Sequence, residues 1–170
     1  MPSALIIISQ TNFNENEFFT TKRILSEKIK VETASISLEG CIGMKGHKVK
    51  PDKTVEDALK KEYDAIAIIG GTGCYKLSEY PEVIEIIKKQ AEKNKIVAAI
   101  CLAPTILARA GVLKDVIATV YPSDWAIALL EKEGAHYIAK SLIEDGNIIT
   151  ADSPRVAEEF AKTILKKLKL

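Results

Sequence analysis

Two stretches of this chain are apolar at every position, Ala4-Leu-Ile-Ile-Ile8 and Ile96-Val-Ala-Ala-Ile100. A third, Tyr63-Asp-Ala-Ile-Ala-Ile-Ile69, is apolar from Ala65 onward. Runs of small and β-branched residues without polar alternation predict strands buried on both faces of a parallel sheet. Between them the apolar positions recur at helical spacing. The pattern predicts a helix from about Asn14 to Lys28, with Phe18, Ile24 and Leu25 inward, and another from Glu82 to Asn94, with Val83, Ile86 and Ile87 inward. Further helices are expected at Thr105–Ala110, stopped by Gly111, at Trp125–Glu133, stopped by Gly134, and from near Pro154 to Leu168. Thr54, followed by Glu56 and Asp57, caps a helical turn over Val55–Lys60.

Weaker signals fill the rest. Ser9 to Asn16 is polar and reads as a loop. Strands are expected at Val31–Ile36, Val116–Val120, His136–Ala139 and Asn147–Thr150, with Asp145-Gly146 as a turn. Gly40, Gly43 and Gly46 punctuate a segment that reads as an exposed hairpin edge. Strands and helices alternate through most of the chain. The fold class is therefore α/β, doubly wound, with a mainly parallel sheet sandwiched by helices. No repeat or linker divides residues 1–170, so one domain is expected.

Composition narrows the function classes. The chain is 47% hydrophobic and 28% charged with a net charge of +1, which favours neither nucleic acid nor a membrane as partner. The N-terminus reads as a first strand, not a signal peptide. Three cysteines at unrelated spacings form no disulfide framework, and with two histidines no metal site is expected. These features point to a reducing cytoplasm.

One cysteine stands apart. Cys101 follows the buried run Ile96–Ile100 and precedes Pro104 and a short helical pattern. It therefore lies where a buried strand turns into a helix, at the end of the sheet where α/β proteins bind ligands. Amides at the helix start would face the sulfur, so the expectation is a thiol of lowered pKa and a nucleophile.

The segment AAICLAPTILARAGVL resembles the nucleophile elbow of the ThiJ/PfpI superfamily, which includes the parkinsonism-associated redox protein and deglycase and the PfpI intracellular proteases. Ile69-Gly70-Gly71 resembles that family's strand–Gly–Gly turn. Phe13-x-x-x-Glu17 resembles the segment with its acidic residue, and Asp145–Thr150 its late hairpin. The motifs fall in order along nearly the whole chain. The resemblance implies a flavodoxin-like fold of the class I glutamine amidotransferase type. It implies Cys101 as the reactive cysteine, Glu17 as its protonated partner, and the amides of Gly71 and Leu102 as an oxyanion hole. Gly70, Cys74 and Tyr121 are expected at the substrate pocket. Family members commonly form dimers or larger rings, so a homo-oligomer is expected. No cofactor is implied.

Two departures matter. The proteases carry histidine after the cysteine, where this chain has Leu102. The deglycase branch often carries histidine before a late proline, where this chain has Tyr121 before Pro122. Glu17 is then the remaining acid–base group and Tyr121 a hydrogen-bond donor. The leading expectation is a Cys–Glu pair acting on small reactive aldehydes, in the manner of a glyoxalase or deglycase. The alternatives are a redox sensor without turnover and, behind it, an intracellular peptidase. Taken singly, Glu15 and His47 read as solvated, Cys41 as an edge or surface thiol, His136 as a strand start, and Trp125 as ordinary helix packing. Cys74 reads first as a small residue in a tight loop, and second as a resolving thiol.

Overall fold

The computed structural model describes all residues, 1–170. The chain runs β1 (Ser3–Ile7), β2 (Thr11–Phe13), α1 (Glu15–Ser26), β3 (Lys30–Ser35), β4 (Cys41–Gly43), β5 (Lys48–Val49), β6 (Lys53–Thr54) and α2 (Val55–Ala58). It continues with β7 (Ala65–Ile68), α3 (Pro81–Glu92), β8 (Ile96–Ile100), α4 (Pro104–Arg109), β9 (Ile117–Ala118) and α5 (Asp124–Lys132). It closes with β10 (His136–Tyr137), β11 (Leu142–Asp145), β12 (Ile148–Ala151) and α6 (Ala157–Lys167).

Seven strands form one sheet in the order β11-β12-β8-β7-β1-β3-β6. All neighbours are parallel except β11, which returns antiparallel onto β12. The wholly apolar runs are the inner strands, because both of their faces are covered. Leu5, Ile7, Ile66, Ile68, Val97 and Ala99 face a core shared with α2, α3, α4 and α5. Ala4, Ile6, Ala65, Ala67, Ile96 and Ala98 face a second core with α1 and α6. The period-2 alternation of side chains thus feeds two separate cores from the same strands. The chain reverses direction across the sheet between β1 and β7, and their C-terminal ends open a crevice there.

Two departures from the sequence pattern lie beside that crevice. The polar stretch after β1 contains β2, which pairs with the β4–β5 hairpin in a small three-stranded sheet. The hairpin is therefore fixed against the body on one side. Cys41, expected at an edge or surface, is fully buried beneath it, because pairing with β2 turns that position inward.

Candidate active site

The end of β8 carries Cys101 in a left-handed backbone conformation, φ 64°. A non-glycine residue there is strained and persists only when its surroundings hold it. They do so from two sides: the Cys101 N–H donates to Ala151 O (2.8 Å) and its carbonyl accepts from the Tyr121 N–H (2.8 Å). The turn aims the side chain out of the strand end, and the residue keeps 7% of its surface exposed.

Glu17 reaches the same place from α1. Asn14 caps that helix, its side-chain oxygen accepting from the Glu17 N–H (3.0 Å), and the Asn14 N–H donates to Gly70 O (2.9 Å). In return the Gly70 N–H donates to Glu17 Oε1 (2.7 Å). Glycine is needed at position 70: a Cβ there would stand 2.7 Å from Cys101 Cβ and 2.8 Å from Glu17 Oε1. Glu17 is completely buried, and its Oε2 has no protein hydrogen-bond partner. The only other polar side chain acting on the carboxyl is Cys101. Burial pushes Glu17 up to about 8, against the pull of the Gly70 amide and the thiol, so it carries a proton at neutral pH.

The thiol differs from the sequence expectation. Burial, followed by the charge of an ionised Glu17, pushes Cys101 up to about 12, and the amides of Leu102 and Gly71 only partly oppose this. The anticipated helix contribution is small because α4 has six residues and begins three positions later, at Pro104. At neutral pH Glu17 is protonated, which removes the charge that opposes a thiolate and places an O–H donor beside the sulfur. The acidity of Cys101 is therefore set first by burial and then by the state of the carboxyl, not by the helix.

The amides of Gly71 and Leu102 both act on the sulfur, and neither is taken up by a protein oxygen. Gly71 adopts φ +117°, and a Cβ there would stand 2.3 Å from Asn12 O. Two free N–H groups beside a nucleophile can hold an oxyanion. Above them opens a pocket of ≈ 280 Å³ lined by Asn14, Met44, Gly71, Thr72, Cys101, Leu102, Tyr121 and Pro154. None of these side chains is charged. A larger, shallow concavity along α3 (≈ 690 Å³) is lined by Lys88, Lys89 and acidic side chains, but holds no nucleophile.

The structure thus brings Cys101, Glu17, Gly71, Leu102 and Tyr121 together. Gly70 lies under the pair instead of on the pocket wall. Cys74 is not at the pocket: it is fully buried in the core that includes Leu77, Ala103 and Ile106. The turn at Gly71–Gly73 packs against β2 and carries Cys74 under the surface, the Gly73 N–H donating to Asn12 O at 3.1 Å. Burial and the neighbouring Cys101 and Glu17 raise its pKa. Asn14, Met44, Thr72 and Pro154 were not anticipated at the pocket. Asn14 had a local signal as a helix cap, whereas Met44 had none.

Glu15, two residues before Glu17, also departs from expectation. It is 5% exposed, not solvated, and its Oε2 accepts from the N–H of Lys45 (2.6 Å) and of His47 (3.3 Å). The His47 Nδ1 lies 3.2 Å from the same oxygen, with its ring edge-on to Phe19. Burial alone would raise the Glu15 pKa, but these hydrogen bonds hold it below the ordinary value. His136 is exposed, and Trp125 is half exposed against Tyr75. No group of three His, Cys, Asp or Glu side chains converges on a point that could hold a metal. No helix is long and apolar enough to cross a membrane.

Comparison with known proteins places this geometry among relatives. The sequence profile of the DJ-1/PfpI family matches residues 2–167. An uncharacterised protein of Methanocaldococcus jannaschii is 41% identical over 166 residues, covering 96% of this chain and 81% of its own. A glutathione-independent glyoxalase of Caenorhabditis elegans is 30% identical over 167 residues, covering 98% and 88%. The crystal structure of Drosophila melanogaster DJ-1beta superposes with a TM-score of 0.91 at 30% identity, covering 98% of this chain and 90% of that one.

Proposed function

The chain belongs to the DJ-1/PfpI family, and from that premise we propose that it converts small 2-oxoaldehydes to 2-hydroxy acids through Cys101 and Glu17. The observation that carries this reading is the buried, protonated Glu17 with one carboxyl oxygen free of partners beside Cys101. A group of pKa about 8 can both take and return a proton near neutral pH. The named relative in Caenorhabditis elegans supports the reaction class.

Sulfur attacks the aldehyde carbon, and the thiol proton ends on the aldehyde oxygen. The amides of Gly71 and Leu102 hold that oxygen while negative charge develops. The product is a hemithioacetal. The ionised fraction of Glu17 then removes the proton from the hemithioacetal carbon. It returns that proton to the adjacent carbon, while the hemithioacetal hydroxyl gives its proton to the ketone oxygen, so the ketone becomes an alcohol and the hemithioacetal carbon a thioester carbonyl. The result is a 2-hydroxy thioester on Cys101. Water cleaves it, releasing the hydroxy acid and restoring the thiol. The substrate's aldehyde carbon is oxidised and its ketone carbon reduced, so no external oxidant or cofactor enters. The neutral pocket suits an uncharged substrate, and the reading is that of a cytoplasmic protein acting as a homodimer or larger homo-oligomer. A peptidase mechanism is disfavoured because Leu102 can neither take nor give a proton and no histidine lines the pocket.

A second reading draws on the same donors. The Glu17 O–H and the two amides would also stabilise the oxygens of a sulfinate on Cys101, as in a redox sensor without turnover. The deciding experiment is lactate production from methylglyoxal by the protein and by Cys101→Ser. The expected result is turnover that rises with pH through about 8 and disappears in the variant, because the base form of Glu17 is required. No lactate from the unaltered protein, with ready oxidation of Cys101 by peroxide, would replace the enzyme by the sensor.

A further inference from the structure

One wall of the Cys101 pocket belongs neither to the large sheet nor to the helices around it. Met44, at the tip of the β4–β5 hairpin, lines the pocket together with Leu102 and Tyr121 while keeping 45% of its surface exposed. Its position rests on two attachments. Its N–H donates to Phe13 O (2.9 Å), on β2. The residues that follow are held by one carboxylate oxygen, Glu15 Oε2, which accepts from the Lys45 N–H and the His47 N–H and meets His47 Nδ1. Position 43 is cut to match: a Cβ on Gly43 would stand 2.4 Å from the Glu15 carboxyl. The carboxylate can approach the turn this closely only because residue 43 is glycine.

Glu15 and Glu17 share the first turn of α1, the same turn that Asn14 caps. One turn of helix therefore carries both the carboxyl that meets the nucleophile and the carboxyl that holds the pocket wall. We propose that Glu15 is a positioning residue that fixes Met44 over Cys101, and that Met44 sets the size of electrophile admitted to the thiol. One oxygen of the Glu15 carboxylate accepts from two otherwise free backbone donors of a tight turn, the N–H groups of Lys45 and His47, so losing it releases the turn locally. The small sheet, attached through β2, stays in place. The consequence is read at Cys101.

This inference rests on Cys101 as the reacting thiol. Its test uses alkylation instead of turnover, so a failure of the carbonyl chemistry leaves it standing. Second-order rates at Cys101 are measured by peptide-level mass spectrometry for iodoacetamide and for the bulkier N-phenylmaleimide. The proteins compared are the unaltered chain, Met44→Ala, Glu15→Ala, Glu15→Gln and the Met44/Glu15 double alanine variant. The expected result is a rise of roughly tenfold in the bulky-to-small rate ratio for each alanine variant, the scale on which an apolar pocket discriminates by about a methylene. The double variant should exceed neither single one by much, because both changes remove the same wall. Glu15→Gln keeps one acceptor oxygen and should fall between. A merely structural Glu15 would lower the melting temperature and leave the ratio unchanged. An unchanged ratio in Met44→Ala overturns the wall. A raised ratio in Met44→Ala with an unchanged one in folded Glu15→Ala overturns the positioning role. If Glu15→Ala does not fold, Glu15→Met, which keeps the side-chain bulk but carries no oxygen acceptor, decides in its place, and an unchanged ratio there has the same meaning.

Discussion

Replacing Glu17 by glutamine should raise stability at neutral pH while removing activity. In the folded protein the carboxyl titrates at about 8, against 4.5 for an ordinary glutamate. The unfolded chain therefore releases its proton first, and folding must take the proton back. No penalty exists below pH 4.5. It grows as pH rises toward about 8 and is constant beyond, when both states are ionised. Each pH unit costs about 1.4 kcal/mol, which comes to about 3 kcal/mol at pH 7. Glutamine carries no such penalty. Its Oε1 can keep the Gly70 N–H, now accepted at 2.7 Å. One amide N–H can face the sulfur, and the second lacks a partner at a cost of about 1 kcal/mol. The variant should thus be slightly less stable than the parent at pH 5 and about 2 kcal/mol more stable at pH 7. For a chain of this size that is a rise of roughly 4–8 °C in melting temperature. Thermal unfolding followed by circular dichroism from pH 5 to pH 8 reads the crossover directly. Methylglyoxal turnover of the same variant should fall about 10²–10⁴-fold, the usual loss of a general acid–base group. Parallel stability curves without a crossover would mean that the carboxyl is not held protonated, and the proton-transfer argument would go with them.

Gly71→Ala should impair the oxyanion donor more than it impairs the fold: φ +117° and a Cβ only 2.3 Å from Asn12 O force the turn to shift, at about 1–3 kcal/mol. Single-turnover kinetics with methylglyoxal should show slowed attack on the aldehyde, and a rate equal to that of the parent would discount the Gly71 amide. At the far end of the sheet, burial opposes ionisation of Glu32, but Lys61 (2.8 Å), Lys53 (2.9 Å) and the Tyr63 hydroxyl (2.8 Å) bring it down to about 2. A carboxyl with a depressed pKa contributes stability that is complete above about pH 4.5 and is lost as pH falls toward 2. After a discount for partial exposure this amounts to about 2 kcal/mol, so Glu32→Gln should flatten the acid limb of urea-denaturation midpoints. An unchanged acid limb would remove the network from the account.

What could be read in the sequence was set by local pattern. The inner strands β1, β7 and β8 declared themselves because burial on both faces leaves no polar position within the run. Thr54 as a cap, Gly111 as a helix stop and the Cys101 turn follow from residue chemistry within a few positions. Glu15 was misread because its partners lie about thirty residues away, and a glutamate in a first helical turn looks the same whether it meets water or a hairpin. Cys41 and Cys74 were misplaced for a related reason. Pairing of a three-residue strand, Thr11–Phe13, decides which way those loops face, and so short a polar strand has no periodicity to detect. The thiol acidity failed on magnitude: the dipole of a six-residue helix is weak beside full desolvation.

The order of the large sheet has a bearing on self-association that is separate from catalysis. One margin is β6, two residues long, where Lys53 pairs with Glu32. The other is β11, four residues, returned antiparallel and bearing Glu144 and Asp145. Asp145 Oδ2 accepts from the Ile117 N–H at 2.8 Å, and Lys167 reaches Glu144 at 3.9 Å. Short, charged, partly covered margins resist the docking of a foreign strand. The long apolar strands most prone to template one another are confined to the middle, with neighbours on both sides. Growth of this sheet from chain to chain, the step that begins a fibre, has no long flat edge on which to start.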